Sequence, residues 1–461
     1  MNDYPNIIVI VLDTLRKDVL PAYGGKAITP NLDKFAEDSM VFQNAIAPAS
    51  WTVPSHVSLF SGAYPKEHKI DDSILPFINI GQQPIFKKLK EFKRVGIIER
   101  LSRIGYSTIG LSTNGWISPG TPFQRYFKSF SFFPQDPEWG DVSDVLNEGK
   151  KFGKSKYEIV RNLLFQRKYK QILHLYRAYA EEKKYLHNYM LNKGGDSLVD
   201  HITNSHFSRP FFLFVNFTHV HEPISDWQLR INHNYYSNKD LLNLSQIPER
   251  LINATRKDYS KEVNMLDIQV GRLLVELKRN GAYDDSLIII TADHGEALKE
   301  SKEFPFYGHG TFLYDEIVEI PLIVKLPKNE KIATNEGYQS LTKIYSFIVN
   351  VIDENYEDVI TEHAAFSEVL PYERDPVDDI KSVKALERAD SNLIKKIFYP
   401  KKAAYKNGYK LVVNGTDGSV DEFTYKGKPL SFEENRTAAG ELLDELENFA
   451  GNENFVANKK R

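Results

Sequence analysis

The chain predicts an α/β fold: a large central sheet flanked by helices, followed by a small antiparallel C-terminal unit. Three observations carry that expectation. The runs Asn6-Ile-Ile-Val-Ile-Val-Leu12, Pro210-Phe-Phe-Leu-Phe-Val-Asn-Phe217 and Leu287-Ile-Ile-Ile-Thr-Ala292 are apolar without polar alternation, as in strands covered on both faces. A long stretch with Leu266, Val270, Leu273, Leu274 and Leu277 at helical spacing leads through Asn280-Gly281 into the last of these strands, an α-loop-β passage closed by an ordinary helix stop. Beyond about residue 396, Tyr405-Lys-Asn-Gly-Tyr-Lys-Leu-Val-Val and Asp421-Glu-Phe-Thr-Tyr read as hairpin strands.

In chain order, the first strand ends at Asp13. Thr29-Pro30-Asn31 has the form of an N-cap with Pro at the first helical position, opening a helix through Leu32, Phe35 and Ala36. Ser50-Trp-Thr-Val-Pro-Ser-His56 reads as a loop entering a second helix, with Pro54 in its first turn and Gly62 and Pro65 as its stop. Such a start leaves backbone N–H groups pointing outward as an anion cradle, and Thr52 faces it. Residues 96 to 113 fit a helix and the strand from Ser107, delivering the loop Thr113-Asn114-Gly115-Trp116. From about 150 to 192 the chain is basic, aromatic and helix-favouring, with Glu interspersed, and reads as a helical insertion over the sheet. The strand ending at Phe217 delivers Thr218-His219-Val220-His221-Glu222-Pro223. Ile320 to Pro327 supplies one more strand, and Ala439 to Ala450 a final helix. The expected units are 1–395 and 396–461.

Composition narrows the function. With 59 Lys+Arg against 62 Asp+Glu, the formal charge of −3 offers no footprint for nucleic acid. The absence of cysteine excludes disulfides, thiol nucleophiles and thiolate metal sites. No signal peptide or lipidation motif precedes the first strand, and the apolar runs fall far short of the ~20 residues that span a bilayer. No membrane insertion and a cytoplasmic location are therefore expected.

Two apolar runs at opposite ends of the chain stop on metal-ligating residue types, Asp13 in one case and Asp293-His294 in the other. In open α/β sheets ligands gather beyond the carboxyl ends of the strands, where carboxylates from two strands can meet around one cation. A strand-ending Asp also serves as a turn or cap residue.

Five segments together resemble the sulfatase family of the alkaline phosphatase superfamily, in order and spacing. They are Leu12-Asp-Thr-Leu-Arg-Lys-Asp18, Thr29-Pro-Asn-Leu-Asp33, Thr52-Val-Pro-Ser-His-Val-Ser-Leu-Phe-Ser-Gly62, Asp293-His-Gly-Glu296, and Gly308-His-Gly310 through Glu316 to Pro321-Leu322. The resemblance extends to the Gly408-Tyr-Lys-Leu strand and Asp421-Glu-Phe. It implies that 1–395 is the catalytic domain, that Asp13, Asp293 and His294 ligate a metal, and that Thr52 stands at the nucleophile position, itself next to the metal. One divalent ion is expected, Mg, Ca or Mn by the oxygen-rich ligands, with Zn possible. The second site of two-metal relatives would need an Asp-x-x-x-His pair, which does not precede the long helix.

The departures from the family pattern carry as much information. Typical sulfatases convert a Cys, or sometimes Ser, to formylglycine at the position of Thr52; threonine, with a methyl on Cβ, cannot give that aldehyde. A threonine oxygen is instead the nucleophile of several phosphodiesterases and phosphotransferases of the superfamily. The family's Arg is replaced by His56, its Lys-x-His by Asn114-Gly-Trp116, a later Lys by His309, and the second of two adjacent aspartates by Thr14. Two fixed positive charges around the anion are thereby lost. Asn114 is either a donor to the ester's equatorial oxygen or a turn residue before Gly115. By resemblance His221 protonates the leaving group with His219 in support, and His309 binds the anion or shares the acid role.

The expected activity is therefore metal-dependent hydrolysis of a small-molecule or glycan sulfate or phosphate ester, leaning to phosphate mono- or diesters through Thr52 and a covalent intermediate. Phosphoryl or phosphoglycerol transfer, and non-catalytic binding of an anionic ester, are the alternatives.

Overall fold

The computed structural model describes residues 4–71, 85–119, 121–133, 193–221, 249–298, 307–330, 336–354, 360–370, 377–378 and 390–451. The expected insertion at 150–192 lies outside them. The centre is a seven-stranded mixed sheet in the order Met40–Phe42, Leu322–Lys325, Ser286–Thr291, Asn6–Leu12, Phe211–Phe217, Ser107–Ser112, Ser129–Phe132. The last five of these run parallel. Leu322–Lys325 runs antiparallel to Ser286–Thr291 and pairs with Met40–Phe42 on its other side. Every residue of Asn6–Leu12, Phe211–Phe217 and Ser286–Thr291 is buried, because helices cover both faces and leave no solvent side for polar alternation.

The long helix is Glu249–Arg279, and Val263, Leu266, Val270, Leu273 and Leu277 are fully buried along one side. Its exposed side is mostly polar, with Ile268 and Val275 as apolar exceptions, the arrangement that gives a surface helix its orientation. Thr29 precedes the helix Pro30–Glu37 as expected, but its hydroxyl does not cap the backbone; it donates to Asp33 instead. The cap comes from the long helix, where Asp267 accepts from the backbone N–H groups of Asn31 and Leu32 at 3.1 and 2.8 Å. A partner 235 residues away thus satisfies the orphan donors that a local cap would ordinarily take.

The C-terminal antiparallel sheet has five strands in the order Ala364–Val369, Lys401–Lys406, Tyr409–Asn414, Val420–Tyr425, Lys428–Pro429, with the helix Arg436–Ala450 packed on it. Its first strand lies ahead of residue 396. The hairpin turn at Asn407 and Gly408 has positive φ at both residues, 53° and 81°, the geometry that makes Asn-Gly the preferred two-residue connection. The sheet is tied to the rest of the chain by Glu368, which accepts from Lys402 at 3.0 Å and from the backbone of Lys66 at 2.6 Å. Among the described residues no helix is long and apolar enough to cross a membrane.

Candidate active site

Strand register decides which side chains meet. Val11 pairs with Thr291, Leu12 with Phe217, and Asn216 with Ser112. Four neighbouring parallel strands therefore end level, and Asp13, Asp293, Thr218–His221 and Thr113–Asn114 emerge along one sheet edge. This is where an open α/β sheet concentrates ligand-binding groups.

Asp13, Asp293 and His294 are all at most 1% exposed, and a ligand atom from each lies within 4.8 Å of the others. His294 Nδ1 donates to the carbonyl of Gly295 at 2.8 Å, which fixes the tautomer and leaves the Nε2 lone pair facing the carboxylates. Nε2 stands 3.7 Å from Asp13 Oδ1 and 3.5 Å from Asp293 Oδ2. Among the described residues those two buried oxygens accept no hydrogen bond. Burial, then the charge of Asp293, pushes the Asp13 carboxyl well above the usual carboxylate range, and burial lowers His294 to about 4. Two orphaned carboxylate oxygens and an imidazole lone pair converging in a dry site fit a divalent cation, which would offset both the desolvation and the repulsion.

Thr52 joins this group. Its hydroxyl lies 3.3 Å from His294 Nε2, and it is the first residue of the helix Thr52–Ser61. No side chain caps that helix start, so the N–H groups of Thr52 and Val53 face the site; Pro54 has none to offer. Of the neighbouring hydroxyls, Ser55 donates to the carbonyl of Ala49 at 3.1 Å, while the buried Ser50 has no partner among the described residues.

His56 replaces a fixed charge with a neutral ring. Its Nδ1 donates to the carbonyl of Thr52 at 2.8 Å, its Nε2 accepts from the Asn216 amide at 3.1 Å, and Phe60, Phe123 and Phe214 surround it. Burial lowers its pKa. Thr14 is held at φ 59°, a region strained for a β-branched residue. Its N–H is turned toward Asp293 at 3.4 Å and its carbonyl accepts from Tyr259 at 2.9 Å. Gly295 is required sterically, since a Cβ there would sit 2.1 Å from the carbonyl oxygen of Glu316.

Asn114 Oδ1 accepts from the backbone of Trp116 at 2.7 Å, making a local turn, and its Nδ2 donates to Asp13 Oδ2. The amide thus shapes the loop and orients Asp13, and the second hydrogen of Nδ2 is not engaged by that bond. His309 lies over His294 with ring centroids 4.4 Å apart, and His221 stands 5.1 Å from His309. Glu296 is 2% exposed and holds His309 Nδ1 at 3.2 and 3.3 Å from its two oxygens. His219 is fully buried, with neither ring nitrogen partnered among the described residues, and burial lowers it to about 3. It is not aimed into the site with His221.

Four contributors escape a reading of the sequence: Glu296, Asn216, Tyr259 and Lys193. Glu296 follows the Asp-His-Gly triplet directly and carried a local signal as a further carboxylate. The others are single polar residues on distant elements, with no signal in their neighbours.

The Sulfatase family model matches residues 5–353. The N-acetylglucosamine-6-O-sulfatase of Bacteroides thetaiotaomicron is 23% identical over 389 residues, covering 73% of this chain and 65% of that protein. A 2-O GAG sulfatase superposes with a TM-score of 0.61 at 15% identity, over 97% of this chain and 93% of the other. The phosphonate monoester hydrolase of Agrobacterium radiobacter does so with a TM-score of 0.59 at 16% identity, over 96% and 94%. At such identities the superpositions show the fold. The chain spans 65%, 60% and 58% of the length of three of the curated relatives it matches.

Proposed function

This chain belongs to the sulfatase family, and from that premise we propose that it is a metal-dependent hydrolase of sulfate or phosphate esters, leaning to phosphate mono- or diesters, with Thr52 as nucleophile. The observation that carries the reading is the Thr52 hydroxyl, 3.3 Å from His294 Nε2 at an uncapped helix start, beside two orphaned carboxylate oxygens. Asp13, Asp293 and His294 would hold one divalent cation, with Thr52 beside it. Such a cation supplies Lewis acidity, lowering the pKa of a nearby hydroxyl and neutralising developing negative charge.

The residues of the chain do the rest. Thr52 Oγ1, its proton given up to solvent, attacks the phosphorus or sulfur in line, forming an O–P or O–S bond as the bond to the leaving oxygen breaks. The N–H groups of Thr52 and Val53 receive the oxyanion. A proton passes to the leaving oxygen from His221 or His309, and the Glu296 carboxylate orients His309 and stabilises its imidazolium. Water then cleaves the threonine ester, releasing inorganic sulfate or phosphate from a monoester and a phosphate monoester from a diester. Asn114 positions Asp13 with one hydrogen of its Nδ2 and can offer the other to an equatorial oxygen of the ester.

The lean toward phosphate rests on chemistry: a threonine cannot furnish a formylglycine, the chain has no cysteine, and a threonine oxygen attacks directly. The test is a panel of 4-nitrophenyl sulfate, 4-nitrophenyl phosphate and the phosphodiester bis(4-nitrophenyl) phosphate with Mg, Ca, Mn and Zn in turn, with and without chelator. Thr52→Ala is expected to lose at least ~10³-fold in kcat. The wild type trapped with substrate should gain the mass of one phosphoryl or sulfuryl group. Full activity in Thr52→Ala would overturn the nucleophile, and full activity under chelation the metal.

A further inference from the structure

The loop carrying His221 is fastened by a residue far away in sequence. Lys193 directs its ammonium at the carbonyls of both His219 and His221, 2.6 Å from each. It is 7% exposed and has φ 42°, a left-handed conformation that a non-glycine residue adopts only when its surroundings enforce it. Gly194 follows at φ 82°. A Cβ on Gly195 would come within 2.3 Å of the His219 ring. Lys193, Gly194 and Gly195 thus form one tight turn moulded around His219-Val220-His221, with the ammonium gripping its backbone and the missing side chain making room for its first ring. Glu262 of the long helix, 2% exposed and with Oε2 accepting no hydrogen bond among the described residues, is within electrostatic reach of the same ammonium.

We propose that Lys193 is a positioning residue for leaving-group protonation: by clamping the 219 and 221 carbonyls it holds the His221 imidazole at the station beside His309 from which a proton reaches the departing oxygen. This rests on the assignment of His221 as an acid in the proposed reaction. A charge-assisted bond to each carbonyl resists rotation of the turn in a way one neutral bond does not. A displacement of about 1 Å at a proton donor is enough to lose on the order of 10²-fold in rate.

The step affected is proton transfer to the leaving oxygen, so the signature is leaving-group dependence. A phenolate needs protonation to depart, whereas 4-nitrophenolate departs readily as the anion. The full-length, metal-supplemented protein is assayed on phenyl and 4-nitrophenyl phosphate, with the two sulfates in parallel, as wild type, Lys193→Met, Lys193→Arg, Gly195→Ala, His221→Ala and the Lys193→Met/His221→Ala double variant.

Lys193→Met is expected to lower kcat on the phenyl ester by about 10²-fold and on the nitrophenyl ester by less than about 5-fold, with KM little changed. Lys193→Arg should recover most of that loss, and the double variant should be no slower than His221→Ala alone. Gly195→Ala displaces the same turn from its other side and is expected to show the same preference; it keeps the test alive if Lys193→Met fails to fold. Equal losses on both esters, or additive losses in the double variant, overturn the role of Lys193 when His221→Ala itself shows the leaving-group signature. If His221→Ala lacks that signature, the acid assignment falls first and the proposal with it.

Discussion

Replacing Asp293 by Asn should make the chelated protein more stable and the metal-supplemented protein less stable than wild type. In the substitution the amide oxygen keeps both bonds that Asp293 Oδ1 accepts, from the backbone of His294 at 3.0 Å and of Thr14 at 3.4 Å. The new NH₂ takes the place of Oδ2, which accepts no hydrogen bond among the described residues and stands 3.5 Å from the His294 Nε2 lone pair and 3.5 Å from His56 Nδ1, whose hydrogen goes to the Thr52 carbonyl. A repelling oxygen becomes a donor aimed at an acceptor. The ligand atoms of the cluster lie within 4.8 Å of one another, and two unit charges at that separation repel by about 3–4 kcal/mol at an effective dielectric of ~20. Local relaxation and the polar groups around the cluster take up part of that repulsion, so the expected gain under chelation is about 2 kcal/mol.

With a cation at a hundredfold excess over its Kd, the wild type instead gains about 2.7 kcal/mol that the variant forgoes. Urea unfolding at pH 7.5 with EDTA and with excess Mn²⁺ should therefore show the order of stabilities reverse. A variant less stable than wild type under chelation would refute the repelling-carboxylate picture; one that still gains stability from Mn²⁺ would refute Asp293 as a ligand.

Asn114→Ala removes the amide that orients Asp13 and should weaken metal binding about 10- to 100-fold, with a smaller effect on KM for ester, as metal titrations of activity would reveal. His68 is buried, accepts from the backbone of Ile70 at 3.0 Å and donates to Ser58 at 3.1 Å, and burial lowers it to about 3. The unfolded chain then binds the extra proton between that value and about 6.5, so stability is fully present above pH 6.5 and is lost as pH falls through this window, by about 2–3 kcal/mol at pH 4.5. Unfolding curves of wild type and His68→Gln at pH 7.5 and 4.5 isolate that share as the difference in slope. Glu368→Ala leaves the buried Lys402 ammonium without its carboxylate and should cost about 3–5 kcal/mol, seen as a lowered urea midpoint. If instead it changes stability by less than about 1 kcal/mol, the tie between the C-terminal sheet and the helix at Lys66 is not structural.

What the sequence determined by itself is the set of buried strands, the long amphipathic helix, the Asn-Gly hairpin and the residues closing the two runs that end on Asp13 and on Asp293-His294. Each of these is a local pattern: an unbroken apolar run, a 3.6-residue stripe, a turn pair that tolerates positive φ, a carboxylate where a strand stops. Register then brought Asp13, Asp293 and His294 together, the packing of the helix Thr52–Ser61 set Thr52 beside them, and the sequence anticipated their company through the family resemblance.

The tertiary structure alone decided the direction and place of Leu322–Lys325 in the sheet, the capping of Pro30–Glu37 by Asp267, and the strand Ala364–Val369 recruited to the C-terminal sheet. It also turned Asn114 toward Asp13, gave His309 its Glu296 partner and set Lys193 under the His221 turn. These are pairings between single polar groups on separate elements. A lone lysine or amide has the same local sequence wherever its partner lies, and only the packed chain, which must satisfy every buried donor and acceptor at once, assigns the partner.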